Sequence, residues 1–265
     1  MHYTNLLSQI FEKFATYAFP PFLQKIINQS YVYGFDIKMD EFDTLESYPT
    51  LNALFTRSLL YPRDFDKNQT IMISPCDSLV MEFGECQDNK AMQIKGKSYC
   101  VDDFLKGTLE EGFKYLNFYL SPRDYHRFHA PLDLKVLKIR YIDGILLSVK
   151  ESSLQSNDAV FTKNKRVILE CEDCYQNPFY FVAIGALNVG RIQINFCPEI
   201  TKHQESLPKE SKEIIFKTPY LLKKGDEIGT FQMGSTIVLF FKQWDIGLKE
   251  RERVYFGQQI ARKEN

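Results

Sequence analysis

The feature that most limits what this chain can fold into is a change of hydrophobic period between residues 60 and 70. Before it, Leu7, Ile10, Phe11, Phe14 and Ala18 recur at steps of three and four, the spacing of an amphipathic helix. Pro20 and Pro21 end that helix, because proline lacks the amide hydrogen a helix interior needs. A second helix carries Phe22, Leu23, Ile26 and Ile27, and a third is expected over 50–58 with Leu51, Leu54 and Phe55 on one face. Beyond about residue 70 the apolar residues come in short runs between turn residues, which is the pattern of strands. Such runs are 79–83, 118–120, 136–141, 166–170, 179–184 and 237–241. Lys224, Gly225 and Asp226 read as a turn feeding a strand from Glu227, and the polar stretch 155–165 reads as a loop. The expected architecture is α+β: a helical N-terminal region, 1–65, packed on a β-rich body, 66–265.

The 33 basic and 34 acidic residues nearly cancel, so the basic excess of a nucleic-acid binder is missing. A membrane surface stays open, since apolar contacts anchor a protein without net charge. The N-terminal stripe fits a helix packed on the core. It also fits a helix lying in a membrane interface, because Phe11, Phe14, Tyr17, Phe19 and Phe22 crowd there. The apolar runs are strand-sized, well short of the roughly 20 residues that span a bilayer. Glu12 and Lys13 interrupt any secretory signal, so the chain is expected to stay in the compartment where it is made. Cys171 and Cys174 form a C-x-x-C without a second pair or nearby histidines, so no metal site is expected.

Chemistry-bearing residues are few. Two of the four histidines, His126 and His129, fall in one short segment, which suggests proton handling; taken alone, the pair also fits a structural role. Pro122 and Pro131 bracket them and argue against a metal-binding helix. Gly234-Ser235-Thr236 opens an apolar run, placing a hydroxyl after a residue that leaves the preceding carbonyl open to attack; on its own it reads as an ordinary strand start. Asp77 follows a proline turn and would complete an Asp, His, Ser set, which geometry and not chain order defines.

The segment 119–131, Tyr-Leu-Ser-Pro-Arg-Asp-Tyr-His-Arg-Phe-His-Ala-Pro, closely resembles a signature of phosphatidylserine decarboxylases of the prokaryotic, pyruvoyl-dependent type. So do 52–57 (Asn-Ala-Leu-Phe-Thr-Arg), 93–99 (Gln-Ile-Lys-Gly-Lys-Ser-Tyr), 182–190, 224–229 and 233–236. The matches run in the family's order from about residue 45 to 241.

The resemblance implies a precursor that cuts itself between Gly234 and Ser235. Ser235 attacks the Gly234 carbonyl, with His129 as base oriented by Asp77 and Asp124 as a further support. Elimination and hydrolysis convert Ser235 into a pyruvoyl group, the one cofactor implied, and no metal is needed. The products are a β chain, 1–234, and an α chain, 235–265, which stay together as a heterodimer; a dimer of such pairs is compatible with the family. The amine of phosphatidylserine then forms a Schiff base with the pyruvoyl ketone, the electron sink for decarboxylation, and His126 is the proton donor. The product is phosphatidylethanolamine, and the implied location is the cytoplasmic side of the inner membrane, peripherally bound.

Three positions depart from the family pattern. Met233 stands where leucine is frequent, Ser78 follows Asp77 where glycine is common, and 151–163 lack a familiar asparagine-proline stretch. The rival readings are a serine hydrolase using Asp77, His129 and Ser235, a non-enzymatic β-rich binding domain, and a homologue that has lost activity. The hydrolase is disfavoured by the missing Gly-x-Ser-x-Gly elbow.

Overall fold

The computed structural model describes residues 3–187, 191–204, 210–232 and 235–264. Helices α1 (Tyr3–Thr16), α2 (Pro21–Phe35) and α3 (Leu51–Phe55) lie in the N-terminal region, with a 3-10 turn at Leu45–Ser47. The body opens with strands β1 (Ile71–Ile73), β2 (Ser78–Glu85), β3 (Lys90–Ile94) and β4 (Lys97–Cys100). Helix α4 (Val101–Leu105) leads to β5 (Lys114–Leu120), β6 (Arg127–His129) and β7 (Leu134–Ile142). After α5 (Glu151–Ser156) and α6 (Val160–Lys163) come β8 (Arg166–Asp173), β9 (Pro178–Gly185) and β10 (Arg191–Ile194). Helix α7 (Pro198–His203) precedes β11 (Lys212–Leu222), β12 (Glu227–Gln232) and β13 (Ser235–Phe241), and β14 (Trp244–Ile246), β15 (Arg253–Val254) and β16 (Gln259–Lys263) close the chain. The fold is α+β, and each apolar run named above lies within a strand.

An antiparallel sheet of eight strands, ordered β11-β7-β8-β9-β13-β5-β2-β15, carries the core. Its central strand β13 is Ser-Thr-Ile-Val-Leu-Phe-Phe, and all seven residues are buried. A run of aliphatic and aromatic residues buried on both faces suits a central strand, and each such side chain contributes roughly 1.5–3 kcal/mol. A smaller sheet, β10-β12-β6, lies beside it, β1-β16-β14 forms a third, and β3-β4 make a hairpin.

Two expectations need correction. The stretch 155–165 is not a plain loop: it holds the end of α5 and all of α6, because Val160 and Phe161 are buried in the main core. Of the two readings of the α1 stripe, packing on the core accounts for only part of it. Thr4, Ser8 and Ala15 are buried and Phe11 is half-buried, whereas Leu7, Ile10 and Phe14 are exposed. The small residues recur at helical spacing and let α1 sit close to α3. Proline starts α2 at its first turn, where a missing amide hydrogen costs nothing. Phe22, Ile26 and Tyr33 on α2 are exposed as well, Tyr33 to 91%. The third helix stops at Phe55, short of 58.

Candidate active site

Ser235 is fully buried at the start of β13, paired with Leu120 of β5 on one side and Gly185 of β9 on the other. Its hydroxyl oxygen has no hydrogen-bond partner among the described residues. Gly234, the other half of the expected cleavage site, and Met233 lie outside the described residues, as do 188–190 of the family-like segment. Ser235 lines a cavity of about 640 Å³ whose walls come from both regions of the chain. Phe11, Phe14, Ile26, Tyr31, Phe35 and Phe55 form the helical wall, and Tyr119, Leu120, Val149, Ala186 and Leu187 form the sheet wall. Phe14 and Ile26 are also exposed, so the cavity opens at the apolar face of the helices. Lys150 is the single charged side chain among the described lining residues.

The segment carrying the two histidines is held by pairing of β6 with β12, the strand that precedes Ser235 in the chain. Thr230 of β12 registers with Arg127 of β6, and the Phe231 amide donates to the His126 carbonyl at 3.0 Å. The chain then runs from β12 to Ser235. Gly229 lets β12 approach β10, since a Cβ there would sit 2.0 Å from the Gln193 carbonyl oxygen.

His126 is fully buried. Its Nδ1 lies 2.7 Å from the Asp124 carbonyl, which only accepts, so Nδ1 carries the hydrogen. The lone pair is therefore on Nε2, which meets no partner among the described residues. The ring lies against Phe55, with centroids 3.8 Å apart. Burial first, and the nearby Arg57 cation second, push its pKa down to about 3.

His129 differs. Its Nδ1–H donates to the Gly225 carbonyl at 3.0 Å, and its Nε2 accepts from the Tyr125 hydroxyl at 3.1 Å. The turn that presents this carbonyl needs glycine: Gly225 has φ +89°, and a Cβ there would strike the Phe65 ring. The His129 ring stacks on Phe256 at 3.7 Å. Burial pushes its pKa down to about 4.

Asp77 does not hydrogen-bond to His129. Its carboxylate accepts both Nη groups of Arg63, at 2.5 and 3.0 Å, and the Phe256 amide at 2.8 Å. A bidentate guanidinium and a backbone donor leave it little reason to seek an imidazole. Asp77 thus reaches His129 through Phe256, whose backbone it holds and whose ring covers the histidine. Asp124 also supports a histidine other than the one expected. Its carboxylate closes the 121–124 turn by accepting the Ser121 amide and hydroxyl, both at 2.7 Å, and pairs with Arg253. Its carbonyl, not its carboxylate, holds His126. Desolvation raises the Asp124 pKa.

Asp77 and His129 therefore meet through Phe256, and among the described residues no hydrogen bond runs from Asp77 through His129 to Ser235. That wiring also fails to make a serine hydrolase. Sequence reasoning assigned no role to Arg63, Tyr125, Arg253 and Phe256. Tyr125 sat inside the segment already singled out; the other three come from distant parts of the chain and carried no local signal. No group of metal-binding side chains forms among the described residues; Cys171 is buried on β8 and Cys174 is exposed.

Comparison with known proteins adds independent findings. The family model described as phosphatidylserine decarboxylase matches residues 51–262. A phosphatidylserine decarboxylase proenzyme of Helicobacter pylori is 44% identical over 260 residues, covering 97% of each chain. One of Campylobacter jejuni is 37% identical over 275 residues, covering 98% of this chain and 100% of its own. One of Nitrosococcus oceani is 32% identical over 245 residues, covering 87% of this chain and 78% of its own.

Proposed function

The chain belongs to the phosphatidylserine decarboxylase family, and from that premise we propose that it is the self-cleaving precursor of a pyruvoyl enzyme that decarboxylates phosphatidylserine to phosphatidylethanolamine. The observation that carries the reading is Ser235: a buried hydroxyl without a partner among the described residues, on the wall of a mostly apolar cavity. An unmet buried hydroxyl is costly for stability alone and is suited to a nucleophile. The residues also fit a pyruvoyl group at this position: the cavity there is mostly apolar, and His126 offers a second buried polar atom without a partner among the described residues. That group supplies an electron-withdrawing carbonyl next to the carboxylate to be lost.

In processing, the Ser235 hydroxyl attacks the carbonyl of Gly234, and His129 takes its proton. To do so His129 must release the Tyr125 hydroxyl from Nε2 or act through it. Asp77 contributes negative charge and, through the Phe256 amide, holds the ring that packs on His129. Residues 235–265 would remain bound to 1–234 after a cut. β13 stays between β5 and β9, β15 pairs with β2, and β16 pairs with β1.

In decarboxylation, His126 begins uncharged with its lone pair on Nε2. It must therefore gain a proton at Nε2 before it can give one to the carbon that has lost carbon dioxide. A buried imidazolium beside Arg57 is a strong acid, which favours that donation. Lys150 is suited to the substrate phosphate. The uncharged lining elsewhere suits the carboxylate, because a charge that is poorly solvated is more easily lost as carbon dioxide.

Residues 1–65 serve, on this reading, as the membrane-associating region. Leu6, Leu7, Ile10, Phe14, Phe22 and Ile26 are exposed on α1 and α2, and Phe14 and Ile26 also line the cavity. No helix among the described residues is long and apolar enough to cross a membrane. Peripheral attachment to the cytoplasmic side of the inner membrane follows from this reading and not from the fold.

The test is release of carbon dioxide from carboxyl-labelled phosphatidylserine in vesicles. Ser235→Ala is expected to release none. His126→Ala is expected to be cut normally yet to run at least about 100-fold slower. An active Ser235→Ala protein would sink the pyruvoyl reading, and a fully active His126→Ala protein would sink the proton role.

A further inference from the structure

Three consecutive residues at the end of α3 grip the segment that carries His126. The Phe55 ring lies on the imidazole at 3.8 Å. The Thr56 carbonyl accepts Nε of Arg127 at 3.0 Å. Arg57 Nη2 donates to the carbonyls of Arg123, at 2.8 Å, and Asp124, at 3.2 Å. The last carbonyl is the one that holds Nδ1–H of His126. A carbonyl oxygen has two lone pairs, so one oxygen serves both donors.

Arg57 is an expensive way to hold a turn. It is 2% exposed, and its hydrogen bonds run to carbonyls, with Nη1 on Leu54 at 3.4 Å and no carboxylate among its hydrogen-bond partners in the described residues. Its Nε meets no acceptor among the described residues, and its charge rests on the Phe42 ring at 4.4 Å. A buried cation hydrogen-bonded only to carbonyls, with the Asp77 and Asp124 carboxylates acting on it from beyond hydrogen-bond reach, is poor for stability. It is useful where one carbonyl must stay still and one neighbour must stay uncharged.

We propose that Arg57 is the positioning residue for His126: it fixes the Asp124 carbonyl, so that the imidazole keeps its hydrogen on Nδ1 and presents the lone pair of Nε2. The role extends the proton-carrying function assigned above to His126 and rests on it for its meaning, though not for its geometry. Without Arg57 the carbonyl is free to turn, and the ring can exchange tautomers or rotate. With it, the nitrogen that handles the proton is always the same one. The burial of His126 and the nearby positive charge act in the same direction, both keeping the resting ring neutral.

The experiment uses uncut full-length Ser235→Ala protein with histidine labelled at both ring nitrogens, read by nitrogen NMR. The expected parent result is one protonated nitrogen, Nδ1, and one unprotonated nitrogen, Nε2, for His126. A parent with the hydrogen on Nε2 overturns the proposal without any variant. Arg57→Lys keeps the charge but loses the fork, so it is expected to show a mixture of tautomers with little change in titration. Arg57→Gln removes the charge as well, so His126 is expected to titrate at higher pH. In processed enzyme, counted by pyruvoyl content, Arg57→Lys is expected to lower kcat at least tenfold with KM within twofold. A single parent-like tautomer together with unchanged kcat in Arg57→Lys would overturn the proposal. Full activity of His126→Ala would instead remove the catalytic meaning of His126, and the tautomer result would still decide what Arg57 does.

Discussion

The N-terminal helices and the eight-stranded sheet are both rich in large apolar residues, and they spend them in opposite ways. In β13 every residue is buried, and Phe181, Phe240 and Phe241 are fully enclosed. In α1 and α2 many of the large residues, Leu7, Ile10, Phe14, Phe22 and Ile26 among them, point outward, while Ser8, Ala15 and Asn28 are buried and Phe11, Ile27 and Tyr31 are half-buried. Asn28 is held there by its bond to the Tyr48 carbonyl at 3.0 Å. Apolar content in the sheet is therefore about stability. In the helices much of it is left exposed to solvent. Ser235 lies on the seam, with one wall of its cavity from each region.

The largest effect should come from the sheet. Phe240→Ala empties a core position and is expected to cost about 3–5 kcal/mol in chemical denaturation. Phe22→Ala, at a residue 72% exposed, is expected to change stability by less than about 0.5 kcal/mol. Similar losses would erase the distinction between the two regions.

A second effect belongs to the seam. His126 and His129 have folded pKa values pushed to about 3 and about 4, below the ordinary value near 6.5 of an unfolded chain. Between those values the unfolded chain holds more protons than the folded one. Stability is then full above about pH 6.5 and falls as the pH drops toward 4, by up to about 1.4 kcal/mol per pH unit for each histidine. Replacing either histidine with glutamine should shallow the slope between pH 6.5 and 5. An unchanged slope would mean that the rings are not held neutral in the fold.

The smallest effect on the fold should be the clearest on membranes. Phe22→Asp and Ile26→Asp are expected to reduce flotation with phosphatidylserine-containing vesicles severalfold while leaving the denaturation midpoint in place. Flotation equal to the parent's would return the helices to an ordinary surface role.

Much of this arrangement was legible in the sequence, for reasons that differ by element. The strands were visible because a buried strand must be a short apolar run, as 237–241 is. The helices were visible by period, but period reports a stripe and not which way it faces. The outward turn of Leu7, Ile10 and Phe14 depends on a core already filled by other residues. Helix α6 was missed because Val160 and Phe161 are too few to show a period. Within the site, Ser235 proves to be buried and without a hydrogen-bond partner among the described residues, and Asp77 is joined to His129 through Phe256. The hydrogen bonds of Asp77 were not foreseeable, because Arg63 and Phe256 reach it across 14 and 179 positions of chain.

The account rests on the chemistry of position 235, and intact-mass analysis of the purified, active protein tests it most directly. The expected result is two polypeptides, 1–234 and 235–265, the smaller beginning with a pyruvoyl group and closed to Edman degradation. Active material consisting of a single uncut chain with an ordinary serine at 235 would contradict it.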